Sequence, residues 1–180
     1  MGAERNMTTI ALHRGVMSGD RCVTDGSAQI MQTIKVREIG HGWVMGACGD
    51  LMLTELMFEQ LAGQIQEVVS CQLGDVSEEI EGMISRDEDG DAAIEWSALL
   101  AHATLGSYML QIMPSGILVA MPLDPSAPIA IGSGSPFALG AMHAGATAHE
   151  AVEIACRLDS RSRPPQDTVP LNDAVPDTAH

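Results

Sequence analysis

The sequence predicts an α+β fold built on antiparallel sheets. Three observations carry that expectation: short apolar runs facing each other across glycine-containing turns, one long stretch whose apolar residues recur every three or four positions, and a further series of strand-like runs in the second half. The 180 residues fit one domain, and 46% of them are apolar at a mean hydropathy of +0.11, enough for a packed core. Aromatic residues make up only 3%, so that core must come from Leu, Ile, Val, Ala and twelve Met.

Thr9-Ile10-Ala11-Leu12 and Val16-Met17-Ser18-Gly19 form the first predicted hairpin, joined by His13-Arg14-Gly15. With residue 14 as its midpoint, the simplest register sets Asp20 opposite Thr8. The second hairpin runs from Thr33 to Ile39 and from Trp43 to Cys48 around Gly40-His41-Gly42. Its centre near residue 41 brings Lys35 opposite roughly residue 47, a strand step or two from Gly49. Thr8 is the candidate nucleophile, because a threonine near a chain start can use its own α-amine, with a pKa of ~7.7 to 8.0, as the base for its hydroxyl.

Lys35 is the only lysine; the other eight basic residues are arginines. Arginine, with a pKa above ~12, cannot share its proton, whereas a desolvated lysine can be tuned. Position 35 therefore reads either as a site that needs a tunable amine or as a single surface lysine on a strand.

Asp25-Gly26-Ser27 reads as a turn. From Leu51 the pattern is helical, with Thr54, Phe58, Leu61, Ile65 and Val68 on one stripe and Asp50 placed to cap the first turn. A second, short helix is expected over Ser77 to Ile84. After it, Asp87, Asp89 and Asp91 imitate the first ligands of a calcium loop, but Ala92 and Ala98 stand where glycine and glutamate are needed, so a solvated acidic loop is expected. Trp96 to Thr104, Tyr108 to Met113 and Ile117 to Met121 form a meander, separated by Gly106-Ser107 and Pro114-Ser115-Gly116 and read as the second sheet. Leu123 to Pro128 is a loop before the strand Ile129-Ala130-Ile131. Gly132-Ser133-Gly134-Ser135 lacks the following Gly-x-x-x-x-Gly-Lys of a phosphate loop. Pro136 opens a small-residue helix through Phe137, Ala141 and Ala144, and Thr147 with Glu150 forms a capping box for another reaching Leu158. His143 and His149 are expected on solvated helix faces.

The 24 acidic and 9 basic residues give a net charge of -15, which disfavours nucleic acid and anionic membrane as partners. Cys22, Cys48, Cys71 and Cys156 show neither Cys-x-x-Cys pairing nor metal-ligand spacing, and read as buried apolar residues of a reducing compartment. No apolar segment suits secretion or a membrane span, so a cytoplasmic location is expected.

Met7-Thr8-Thr9-Ile10, Ser18-Gly19-Asp20, Ile34-Lys35-Val36, Gly46-Ala47-Cys48-Gly49-Asp50 and the run Ile131 to Ala138 occur in an order and spacing that resembles the proteasome β-subunit family, including its bacterial HslV-type members. The resemblance covers about residues 7 to 162. It implies a four-layer αββα sandwich, an N-terminal-nucleophile threonine peptidase acting on polypeptide, a homo-oligomeric ring fed by an AAA+ ATPase unfoldase, and no metal or organic cofactor. Carried onto this chain, it makes Thr8 the nucleophile, Lys35 and Asp20 its charged neighbours, Gly49 N–H the oxyanion donor and Ala47 a wall of the first specificity pocket. Ser133 would support the threonine amine, with Asp159 and Ser162 nearby. The chain departs from the pattern where Arg163-Pro164-Pro165 replaces the glycines usual after that serine, which leaves the placement of Ser162 open.

The resulting division is an N-terminal extension or initiator segment at 1–7, a hydrolase domain at 8–163 and a flexible Pro/Asp-rich tail at 164–180. Thr8 is silent while Met7 is attached; Met7 is either an initiator trimmed before a small residue or the last residue of a self-cleaved propeptide, unless it is never removed. Two other readings stand beside the peptidase: a non-proteolytic structural or assembly subunit, and a small-molecule amide hydrolase of the same fold.

Overall fold

The computed structural model describes residues 8–25, 28–70, 96–113 and 118–172. The predicted helix at 77–84, the acidic loop at 86–91 and the centres of the turns at 25–27 and 114–116 fall outside them, as do Cys71 and residues 173–180.

The first hairpin pairs β1 (Thr9–His13) with β2 (Val16–Asp20). The loop holds two residues, Arg14 and Gly15, both at positive φ (50° and 73°), a primed turn whose twist matches that of the strands. The register therefore pairs Ile10 with Gly19 and sets Asp20 against Thr9 rather than Thr8, one residue from the sequence expectation. A short ribbon, β3 (Cys22–Asp25) with β4 (Ala28–Gln32), follows. The second hairpin, β5 (Val36–Gly40) and β6 (Trp43–Gly49), turns at His41-Gly42 and has the expected register, with Ala47 N–H donating to the Lys35 carbonyl at 3.0 Å. Helix α1 spans Leu51–Ser70, and Asp50 caps it as predicted, its Oδ1 accepting from Leu53 N–H at 2.9 Å.

The meander is β7 (Trp96–His102), β8 (Gly106–Ile112) and β9 (Leu118–Leu123); Gly106 and Ser107 lie inside β8 instead of separating strands. It does not form a sheet by itself. Trp96 to Ala101 pair with β6, so the order is β5-β6-β7-β8-β9 and the second hairpin belongs to the meander. The other sheet runs β10-β1-β2-β11, where β10 is Ile129–Gly132 and β11 is Gln166–Pro170. Part of the expected flexible tail is thus a strand: Gln166 to Pro170 pair with Asp20 to Val16, and the Arg21 guanidinium holds the Asp167 carboxylate.

Alternation explains the layers. Ile10, Leu12 and Met17 of the first sheet pack on Val36, Val44, Leu99 and Ala101 of the second, making the middle of the sandwich. The opposite faces take helices. Met45, Ala47, Ala98 and Leu100 lie under Leu53, Met57, Phe58 and Leu61 of α1. Ala11 lies under α2 (Ser135–His143) and α3 (Ala148–Leu158). The result is the predicted four-layer αββα sandwich. In α2 the buried side chains are Ala138 and Met142, while Phe137 is exposed, because the nine-residue helix presents its sheet-facing stripe one position later than expected.

The Thr147 capping box is present: Glu150 N–H donates to Thr147 Oγ1 at 3.2 Å, and Thr147 N–H to Glu150 Oε2 at 2.8 Å. Thr147→Ala is expected to cost about 1 kcal/mol, read as a lower urea midpoint at unchanged slope.

Candidate active site

The two sheets approach closely at one end because two glycines let them. A Cβ on Gly19 of the first sheet would lie 2.7 Å from Val36 Cγ2 of the second, and one on Gly46 of the second would lie 2.7 Å from Ile10 Cγ2 and 2.8 Å from Met17 Sδ of the first. That approach carries Lys35, just ahead of β5 in the second sheet, to Thr8 and Asp20 at the ends of the two inner strands of the first.

Lys35 is buried, at 5% exposure, and its ammonium has three acceptors for its three hydrogens. Nζ donates to Thr8 Oγ1 and to the Cys22 carbonyl, and sits 3.5 Å from Asp20 Oδ2. Asp20, fully buried, is anchored in turn: Oδ1 accepts from Thr9 N–H at 2.7 Å and Oδ2 from Cys22 N–H at 2.9 Å. Burial pushes the Lys35 pKa down, against the pull of Asp20. Burial likewise pushes the Asp20 carboxyl up, against Lys35 and its main-chain donors. Thr8 Oγ1 thus accepts a hydrogen bond from a buried cation, and among the described residues its own proton has no acceptor.

A second buried group lies on the helix side. Asp159 Oδ2 accepts from Ser133 Oγ and from Ser162 Oγ, both at 2.7 Å, and Ser162 Oγ touches Thr9 Oγ1 at 2.7 Å. Ser133 is therefore spent on Asp159 and makes no hydrogen bond to Thr8 among the described residues. Ser162 is fully buried, its hydroxyl between Thr9 and Asp159, with Arg163-Pro164-Pro165 following it. The Arg163 guanidinium itself ties the loop, donating to the carbonyls of Asp159 (2.9 Å) and Ser162 (2.8 Å).

Beside Thr8 opens a small cavity of about 20 Å³, lined by Lys35, Val23, Ala47, Cys48, Gly49 and Thr54 among others. Gly49 closes β6 at φ 116°, and Ala47 is buried at 1% exposure, its wall shared with α1. Cys22 and Cys156 are buried free thiols, as expected; Cys48 is half-buried beside Ser97 Oγ at 3.1 Å. His143 and His149 are exposed. Among the described residues no group of three or more His, Cys, Asp or Glu is placed to hold a metal ion, and no helix is long and apolar enough to cross a membrane.

The sequence does not single out Thr9 or the Cys22 carbonyl, which the structure brings to Asp20, Ser162 and Lys35. Thr9 adjoins Thr8 in the same motif, so its spacing is legible; the main-chain carbonyl carries no sequence signal.

No protein-family model matches the chain, and no curated protein matches it. Solved structures do. Eukaryotic HslV from Trypanosoma brucei is 24% identical over 89% of this chain and 97% of that one, at a TM-score of 0.59. Thiobacillus denitrificans BPH in complex with epoxomicin is 16% identical over 92% and 99%, at 0.57. A second Thiobacillus denitrificans BPH structure is 18% identical over 95% and 100%, at 0.55. At these identities the likeness shows a shared fold.

Proposed function

We propose that the chain is a threonine peptidase whose nucleophile is Thr8 once Met7 has been removed. The observation that carries this reading is the buried Lys35 ammonium donating to Thr8 Oγ1 while Asp20 lies 3.5 Å behind it. A desolvated lysine held between a carboxylate and a hydroxyl at the mouth of a pocket is the kind of arrangement that marks functional sites. The likeness to HslV, and to a BPH that binds epoxomicin, supports the same reading.

In this reading Thr8 Oγ bonds to the peptide carbonyl carbon, and its proton passes to the freed α-amine. Gly49 N–H takes the carbonyl oxygen as it becomes an oxyanion. The C–N bond then breaks, the amine's proton leaves with the departing nitrogen, and water hydrolyses the Thr8 ester by the reverse path. Lys35 favours the alkoxide by its charge, and Asp20 fixes Lys35. Asp159, through Ser133 and Ser162, steadies the amine. Ala47 borders the pocket for the residue preceding the cut. The substrates are unfolded polypeptides, the assembly is a cytoplasmic homo-oligomeric ring, and an AAA+ ATPase unfoldase feeds it.

Intact-mass measurement of the purified chain is expected to give a species beginning at Thr8. Epoxomicin, a peptide epoxyketone, should add its mass to that species and to nothing in Thr8→Ala. A chain that keeps Met7 and takes no label overturns the peptidase reading.

A further inference from the structure

Thr9 holds two separate parts of this site. Its amide N–H donates to Asp20 on the lysine side, and its fully buried hydroxyl reaches Ser162 on the opposite side. Counting protons fixes the direction of that second contact. A hydroxyl has one proton, and a carboxylate only accepts. Ser162 gives its proton to Asp159 Oδ2, so towards Thr9 it can only accept, and Thr9 Oγ1–H is the donor. Ser133 also spends its proton on Asp159 Oδ2. The hydrogens of all three hydroxyls run towards one carboxylate, and their free lone pairs are turned away from it.

The Thr9 hydroxyl is also confined. A Cβ on Gly134 would lie 2.0 Å from Thr9 Oγ1 and 3.1 Å from Ala155 Cβ, so the space that holds this hydroxyl exists only because residue 134 has no side chain.

We propose that Thr9 is a positioning residue: its hydroxyl fills one lone pair of Ser162 and turns the other towards the amine freed on Thr8. This rests on the reading of Thr8 as the nucleophile. The hydroxyl chain carries the charge of Asp159 to that amine and favours its ammonium form, which holds the amine's pKa up and its lone pair in line with Thr8 Oγ once the proton is lost. Without the Thr9 donor, Ser162 is held by Asp159 alone, its second lone pair is no longer fixed in direction, and the amine loses an oriented acceptor.

The test compares Thr9→Val, which keeps the shape and removes the hydroxyl, with Thr9→Ser, which keeps the hydroxyl. Both are made in the full chain, and the rate of epoxomicin labelling is followed against pH. In Thr9→Val the plateau rate is expected to fall about tenfold, and the acid limb to move about half a unit to lower pH as the ammonium loses support. Thr9→Ser should restore both. A Val variant with the wild-type limb, or a Ser variant as impaired as Val, overturns the proposal. Gly134→Ala provides a second arm if Thr9→Val does not fold: its methyl would lie 2.0 Å from Thr9 Oγ1 and 3.2 Å from Ser162 Oγ, so it breaks the same contact and must move the limb the same way, and an unmoved limb counts against the idea. If the wild-type chain takes no label, the peptidase reading falls and Thr9's role with it; if the wild type labels and Thr9→Val matches it, only the role of Thr9 is lost.

Discussion

Lys35→Arg is expected to lower the rate of epoxomicin labelling ~10²- to 10³-fold while the chain remains folded. The substitution keeps the positive charge, so it tests more than electrostatics. The ammonium fits between three acceptors, Thr8 Oγ1, the Cys22 carbonyl and Asp20, in a buried space shaped for one nitrogen. A planar guanidinium is wider, presents its donors in a fixed fork and cannot give up a proton, so it forces the β1 and β3 backbones apart. The overpacking should cost about 1 to 3 kcal/mol. A variant that labels at the wild-type rate would show that only charge near Thr8 matters.

The pH dependence separates chemistry from unfolding in the same protein. Burial lowers the Lys35 pKa, so its charge is lost, and labelling falls, as pH rises through a value below the ordinary lysine range. The stability linkage has the opposite sign there. Between the lowered folded pKa and the higher unfolded one, the unfolded chain binds more protons, so the contribution of Lys35 to stability rises with pH. Labelling should therefore decline across that window without a matching fall in urea midpoint caused by this group. A midpoint that falls in step with the rate would assign the alkaline limb to unfolding.

Gly132→Ala is expected to be the most damaging substitution outside the charged groups. Gly132 ends β10 opposite Thr9 at φ 89°, and a Cβ there would lie 1.9 Å from the Thr8 carbonyl oxygen and 2.7 Å from its carbon. Both obstacles are backbone, so no rotamer change relieves them. Left-handed backbone alone costs a non-glycine residue about 1 to 2 kcal/mol, and moving the start of β1 should raise the loss to about 3 to 5 kcal/mol. Urea unfolding reads the loss, and labelling should disappear because Thr8 moves with its carbonyl. Gly140→Ala is the control: it lies within α2 with nothing within 4 Å of the added carbon, and should stabilise by about 0.5 to 1 kcal/mol. Equal effects of the two substitutions would mean that the close approach at Gly132 is not what holds Thr8.

Much of the site was legible because its signals are local. The second hairpin's register followed from its centre, and Lys35 indeed lies across from Ala47. The first was off by one residue, since Arg14 adopts positive φ and shortens the loop to two residues, which arginine does not advertise. That shift decides which threonine Asp20 holds. The strand at Gln166–Pro170 was illegible, because a mostly polar segment ending in proline has no apolar alternation; it forms on the free edge of β2, where Asp167 meets Arg21. Sheet membership was hidden for a similar reason: pairing is made by main chain, and the second hairpin pairs with the meander as readily as with the first.

The sequence by itself determined the alternation and turns that make β1, β2, β5 and β6 and the caps at Asp50 and Thr147, because each depends on residues within a few positions of one another, and it marked Lys35 as the lone lysine. Only the tertiary structure decided that these elements close on one another, with Lys35 delivered from the second sheet onto Thr8 of the first and Ser162 brought to Thr9 from the far end of the domain. Those distances rest on close approaches that four missing side chains allow, Gly19 and Gly46 between the two sheets, Gly132 against the Thr8 carbonyl and Gly134 against the Thr9 hydroxyl, and their effect appears only when the layers are packed together.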